Sequence, residues 1–195
     1  MLGTADLLGA LARALVIVDI QRDYFPGGAH PLEATGDAVA AAKGLLESFR
    51  ASGEPVVHVR HVWDEAEATF MRPGTEGVEI HPDVAPEAGE LMITKAFPNS
   101  FRETVLEEEL RARGVEEVVV CGMMTSMCVD ATVRAAVDLG FEATVAHDAC
   151  ATCALEFDGR TVPAAEVHSA FIAALADGYA RVAPASEIAD VELEG

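Results

Sequence analysis

The stretch Ala14-Leu15-Val16-Ile17-Val18-Asp19 decides the fold: an unbroken aliphatic run ends on a carboxylate, without the polar alternation of a strand that has one wet face. Such a run suits a strand covered on both faces, as in a parallel sheet between helical layers. Further short runs of this kind lie at Pro55 to Arg60, Leu91 to Thr94, Glu117 to Cys121, Glu142 to His147 and Ala180 to Val182. Helical patterns fill the intervals, at Asp37 to Ser52, Phe101 to Arg113, Ser126 to Leu139 and Pro163 to Asp177. Gly53, Gly114, Gly140 and Gly178 each follow one of these patterns, where a left-handed cap favours glycine. Alternating strand and helix predicts one three-layer α/β/α domain over residues 1–195, with 1–13 as an N-terminal extension.

The chain carries 33 acidic and 13 basic residues, a formal net charge of -20, yet is 51% hydrophobic and 24% charged. A disordered acidic segment lacks that apolar content, so a packed core is expected. The charge is spread, with 15 acids and 7 bases before Asn99 and 18 and 6 from there on. Without a basic run the chain cannot neutralise a row of phosphates, so neither nucleic acid nor an anionic membrane is an expected partner. Apolar stretches such as Val118 to Met124 are far short of the roughly 20 residues that span a bilayer. The apolar run at Leu7 to Ala12 has no basic residue before it and does not read as a signal peptide. Four cysteines in a chain able to build a full core do not read as a secreted disulfide framework. The expectation is a cytoplasmic protein.

In an open α/β sheet, ligands bind beyond the carboxyl ends of the strands. Asp19 ends the first strand and Lys95 the third. Lys95 is one of only two lysines beside eleven arginines. Cys128 follows the fourth strand, and with Thr125 as N-cap it falls in the first helical turn, where the macrodipole favours a thiolate. An acid, a base and a nucleophile thus converge on one rim, although each alone is also an ordinary structural residue. The segment His61 to Glu90 lacks periodicity, carries the only tryptophan, Trp63, and reads as a lid or binding loop.

Other motifs are weaker. After the first strand there is Pro26-Gly27-Gly28 rather than a dinucleotide fingerprint, and no Walker sequence occurs. Cys150-Ala-Thr-Cys153 has redox spacing without the flanking residues of a redox motif. His58, His61 and His81 read as loop or rim histidines, because no carboxylate and histidine cluster with ligand spacing is visible; no metal is expected.

Asp19-Ile-Gln-Arg-Asp-Tyr-Phe, Thr94-Lys95-Ala-Phe-Pro-Asn-Ser-Phe101 and Cys121-Gly-Met-Met-Thr-Ser-Met-Cys128-Val-Asp-Ala-Thr resemble the isochorismatase-like cysteine hydrolases, from about Ala14 to Val182. The resemblance implies a Rossmann-like fold with a six-stranded parallel sheet and a catalytic triad of Asp19, Lys95 and Cys128. It also implies a cis peptide between Met123 and Met124, and an oxyanion hole formed by the backbone NH groups of Met124 and Cys128. The Asp-x-His metal motif of nicotinamidases is missing from His58-Val-Arg-His-Val-Trp-Asp. True isochorismatases lack the cysteine, so the resemblance is to the thiol-dependent amidohydrolases. The expected activity is hydrolysis of a C–N bond in a small amide, ureide or carbamoyl compound through a cysteine thioester, with no cofactor. Vinyl ether hydrolysis with Asp19 as general acid, and a non-catalytic binding module, remain as alternatives. Phe25 and Trp63 are candidates for the substrate wall, with core packing equally open for Phe25. Arg72 is a candidate for a substrate carboxylate or a plain surface residue. The resemblance further suggests a homo-oligomer, dimer or larger, and the apolar positions Leu2, Leu7, Leu8 and Leu11 could pack across its interface.

Overall fold

In the computed structural model, which describes residues 12–190, six parallel strands form one sheet: β1 (Arg13–Val18), β2 (Val56–His61), β3 (Leu91–Lys95), β4 (Glu117–Met123), β5 (Glu142–Ala151) and, later in the chain, β8 (Arg181–Ala183). Their order is β3-β2-β1-β4-β5-β8, so the chain reverses direction across the sheet between β1 and β4. The first strand already begins at Arg13, inside the expected extension, and the apolar positions from Leu2 to Leu11 lie outside the described residues.

Alternate side chains of the strands feed two cores. Leu15, Ile17, Val119 and Cys121 pack with α1 (Thr35–Ser52) and α5 (Ala185–Asp190) on one face. Ala14, Val16, Val18, Val118 and Val120 pack on the other face with α2 (Leu106–Ala112), α3 (Asp130–Asp138) and α4 (Ala164–Gly178). This double covering is why the strand sequences read as continuous aliphatic runs. α1 buries Val39, Leu45, Leu46 and Phe49 against the sheet, and each such side chain contributes about 1.5–3 kcal/mol. No helix among the described residues is long and apolar enough to cross a membrane.

Several expectations need correction. The pattern from Phe101 to Arg113 is helical only from Leu106, because polar side chains capture the backbone before it. Asn99 Oδ1 accepts from the Phe101 amide at 2.8 Å, and Thr104 Oγ1 donates to the Ser100 carbonyl at 2.6 Å. The segment from Ser126 is divided into a single π-turn, Thr125–Val129, followed by α3. Gly178 is the last residue of α4 rather than a left-handed cap, and the Leu175 carbonyl accepts from both Tyr179 and Ala180. A hairpin of β6 (Leu155–Phe157) and β7 (Arg160–Val162) turns on Asp158 and Gly159, both at positive φ, as a two-residue hairpin turn demands.

Candidate active site

Asp19 is the first residue beyond β1 and adopts the left-handed conformation, φ 50°, which for a non-glycine residue stores about 1–3 kcal/mol of strain. Two backbone bonds hold it there. Its amide donates to the Val59 carbonyl at 3.0 Å, and its carbonyl accepts from Gln21 at 2.9 Å. Lys95 ends β3 and is the register partner of His61 at the end of β2, so the two side chains leave the sheet on the same face.

Cys128 lies in the π-turn, where the Val129 amide reaches back to the Met124 carbonyl at 3.2 Å. The peptide between Met123 and Met124 is cis. Three side-chain bonds fix this turn and its surroundings: Thr125 Oγ1 to His168 Nδ1 at 2.9 Å, Ser126 Oγ to Thr152 Oγ1 at 2.8 Å, and Ser100 Oγ to Thr132 Oγ1 at 2.8 Å. The last ties the turn after Lys95 to α3. Gly122 permits the close packing of β4 on β1, because a Cβ there would meet the Val18 carbonyl oxygen at 1.9 Å.

The three elements converge on the Lys95 ammonium. Its Nζ lies 2.6 Å from Asp19 Oδ2, 3.3 Å from Cys128 Sγ and 3.0 Å from His61 Nδ1, all inside the protein. Burial works against the ammonium, but the Asp19 carboxylate and the Cys128 sulfur outweigh it and raise the Lys95 pKa. Burial and then the Lys95 charge push the His61 pKa down, so His61 is neutral and its Nδ1 accepts from Lys95. Asp19 Oδ1 is buried and has no hydrogen-bond partner among the described residues.

The expected thiolate is not what this environment favours. Burial, followed by the adjacent Asp19 carboxylate, raises the Cys128 pKa and outweighs the opposing pull of Lys95.

His58 and His61 are also not loop or rim histidines. Both are buried in β2, where His58 Nε2 meets Glu90 Oε2 at 2.8 Å. His61 joins Asp19 and Cys128 in a set whose potential ligand atoms lie within 4.8 Å of one another, the cluster that the sequence did not reveal. Such a set suits zinc by donor type, but the Lys95 ammonium already bonds to one atom of each member. The signal for His61 was its position: the last residue of a strand next to the one that delivers Lys95.

A cavity of about 220 Å³ opens over Cys128. Tyr24, Trp63, Phe70, Met71, Phe97, Met124 and Met127 give it apolar walls, and Glu65 and His61 are also exposed to it. Of the three sequence candidates for substrate contact, Trp63 faces the cavity. Phe25 instead stacks on His81, ring centroids 4.0 Å apart, beside a separate cavity of about 580 Å³ that contains no nucleophile. Arg72 is exposed and lines neither cavity. The loop owes its shape to Asp23, whose carboxylate accepts from the Met71 amide at 2.5 Å and the Ala29 amide at 3.0 Å. The Trp63 amide closes the loop on the Met71 carbonyl at 2.9 Å. All four cysteines are free. Cys150 Sγ points to the Ala146 carbonyl at 3.3 Å and Cys153 Sγ to Met124 Sδ at 3.8 Å.

Comparison with known proteins agrees with this fold. Residues 13–187 match the isochorismatase domain model. The isochorismatase family protein YddQ of Bacillus subtilis is 49% identical over 172 residues, covering 88% of this chain and 96% of that protein. A streptothricin hydrolase of Streptomyces noursei is 37% identical over 140 residues, covering 72% of this chain and 50% of its own length. Among solved structures, an isochorismatase-family hydrolase from Oleispira antarctica superposes with a TM-score of 0.88 at 49% identity, covering 91% and 96% of the two chains. N-carbamoylsarcosine amidase from Thermoplasma acidophilum gives a TM-score of 0.78 at 26% identity, covering 95% and 100%. With the sheet order, the domain match and relatives that span nearly its whole length in agreement, the chain belongs to the isochorismatase-like hydrolase family.

Proposed function

We propose that the protein hydrolyses a C–N bond of a small amide, ureide or carbamoyl compound, with Cys128 as nucleophile, Asp19 as acid and base, and Lys95 as the charge that holds Asp19 in place. Relatives named for such bonds, a ureidoacrylate amidohydrolase and the N-carbamoylsarcosine amidase, support this class of substrate, and the streptothricin hydrolase supports hydrolysis. The observation that carries the reading is Asp19 Oδ1, a buried carboxylate oxygen without a hydrogen-bond partner among the described residues, in a side chain whose other oxygen is held by Lys95.

As Sγ attacks the substrate carbonyl carbon, Asp19 takes the thiol proton and the carbonyl electron pair moves to oxygen. The backbone NH groups of Met124 and Cys128 are assigned to that oxyanion. The C–N bond then breaks, and Asp19 returns the proton to the departing nitrogen. Water attacks the thioester, passing a proton to Asp19. The C–S bond breaks, the sulfur regains its proton, and a carboxylic or carbamic acid leaves. These steps require no cofactor.

The test is ammonia release from a panel of amides and ureides by the wild type and Cys128→Ala, with acid quenching and peptide mass mapping of the wild type. The expected outcome is an acyl adduct on the Cys128 peptide and a loss of at least about a thousandfold in the variant. Equal turnover by the variant removes Cys128 from the mechanism. Turnover of a vinyl ether, added to the panel, that survives Cys128→Ser without an adduct points instead to ether hydrolysis through Asp19.

A further inference from the structure

The cavity over Cys128 is uneven in its chemistry. Aromatic rings line much of it, with Trp63 edge-on to Phe70 at 5.4 Å between centroids and Tyr24 against the same ring at 5.9 Å. One formal charge faces it: the Glu65 carboxylate, which is exposed and has no hydrogen bond or ion pair among the described residues. No cation lines it. Lys95 lies beneath, committed to Asp19, His61 and Cys128. Arg102 stacks on Phe97 with its guanidinium 3.7 Å from the ring centroid, pairs with Glu103, and does not line the cavity.

A substrate carboxylate in this space would lose its water, find no cation, and sit beside Glu65 in a chain of net charge -20. An ammonium would meet ring faces and a carboxylate, the pairing by which aromatic cages hold cations. The volume, about 220 Å³, is below the roughly 300–1,000 Å³ of sites for drug-sized ligands and calls for a small molecule.

We propose that Glu65 determines specificity, and that the pocket selects small amides whose flat apolar acyl portion carries a positively charged amine, rejecting those that carry a carboxylate. That the ligand is an amide rests on the hydrolase reading above; the preference for charge does not, and it can be measured apart from turnover.

The probes are 4-(aminomethyl)benzamide, 4-ethylbenzamide and 4-carboxybenzamide, which share one scaffold and differ in charge. Calorimetry on Cys128→Ala measures binding, and ammonia release by the wild type measures turnover. The expected order in binding is cation, neutral, anion, with the cation favoured over the neutral compound by about tenfold. Glu65→Gln should bring that ratio close to one, Glu65→Lys should reverse the order of cation and anion, and added salt should lower the ratio. A flat order, a preference for the carboxylate, a ratio unchanged in Glu65→Gln, or no measurable binding of the cationic probe overturns the inference. The expected order in binding without turnover by the wild type upholds the charge preference and counts against the hydrolase reading instead.

Discussion

The side chain of Gln21 grips the backbone of His61 from both sides, accepting from its amide and donating to its carbonyl, each at 2.8 Å. The same Gln21 nitrogen also donates to the Val78 carbonyl at 2.7 Å. One buried carboxamide therefore sets where β2 ends, where the following loop begins and how His61 faces Lys95. Gln21→Ala leaves buried backbone groups without partners and should lower stability by about 2–4 kcal/mol in urea denaturation. Gln21→Glu keeps the bond to the His61 amide but turns a carboxylate toward two carbonyls, so its loss should grow as the pH rises.

Lys95 and Asp19 form a fully buried ion pair. Lys95→Met should destabilise by about 3–5 kcal/mol, because it strands the Asp19 carboxylate in the interior. Adding Asp19→Asn removes that stranded charge, so the double variant should be more stable than Lys95→Met alone. A double variant that shows the plain sum of two separate losses would argue against coupling between them.

Cys128 should behave as a protonated thiol in the resting protein. Burial and the Asp19 charge raise its pKa, so alkylation by iodoacetamide should keep climbing with pH through the ordinary thiol value of 9.0 instead of levelling off near neutrality. Asp19→Asn removes one of those causes and should move the alkylation profile to lower pH. Peptide mapping across the titration reads both outcomes, with the fully buried Cys121 as the internal control.

Glu90 anchors the far end of the loop between β2 and β3. Arg50 grips both of its oxygens, at 2.7 and 2.8 Å, while His58 and the Glu87 amide bond to it at 2.8 and 2.7 Å. The Arg50 bonds, opposed by burial and aided by Glu87 and His58, lower its pKa from 4.5 to about 2. A depressed carboxyl pKa stabilises the fold above the unfolded value and loses that contribution as pH falls through the folded one. The window is therefore pH 4.5 down to about 2. At neutral pH the contribution is no more than about 3 kcal/mol. Glu90→Gln should be less stable than the wild type at pH 7 and should lack most of the loss in this window, as followed by thermal melts against pH.

The sheet was legible because both its faces are covered: aliphatic runs such as Leu15 to Val18 could serve no other purpose, and all six strands lie where the sequence indicates. The helix starts were less so. At Asn99 and Thr104 the side chains compete for backbone groups, and periodicity does not report such competition. The hairpin was signalled by Asp158-Gly159 but is too short to disturb the surrounding pattern. Asp19, Lys95 and Cys128 could be placed from the ends of their strands. Beyond Trp63 the pocket wall could not, since Phe70 and Met71 reach it through a loop held by Asp23, a contact between residues 48 positions apart.

At Gly122, the separation between Asp19 and Cys128 depends on an atom that is missing. Val18 precedes Asp19 and Gly122 precedes the turn that carries Cys128; with any methyl group between them, β1 and β4 must part. Asp19 and Cys128 would then drift apart while both side chains stayed intact. If the proposed reaction holds, an inactive variant at this position would retain every proposed catalytic group and lack only the spacing.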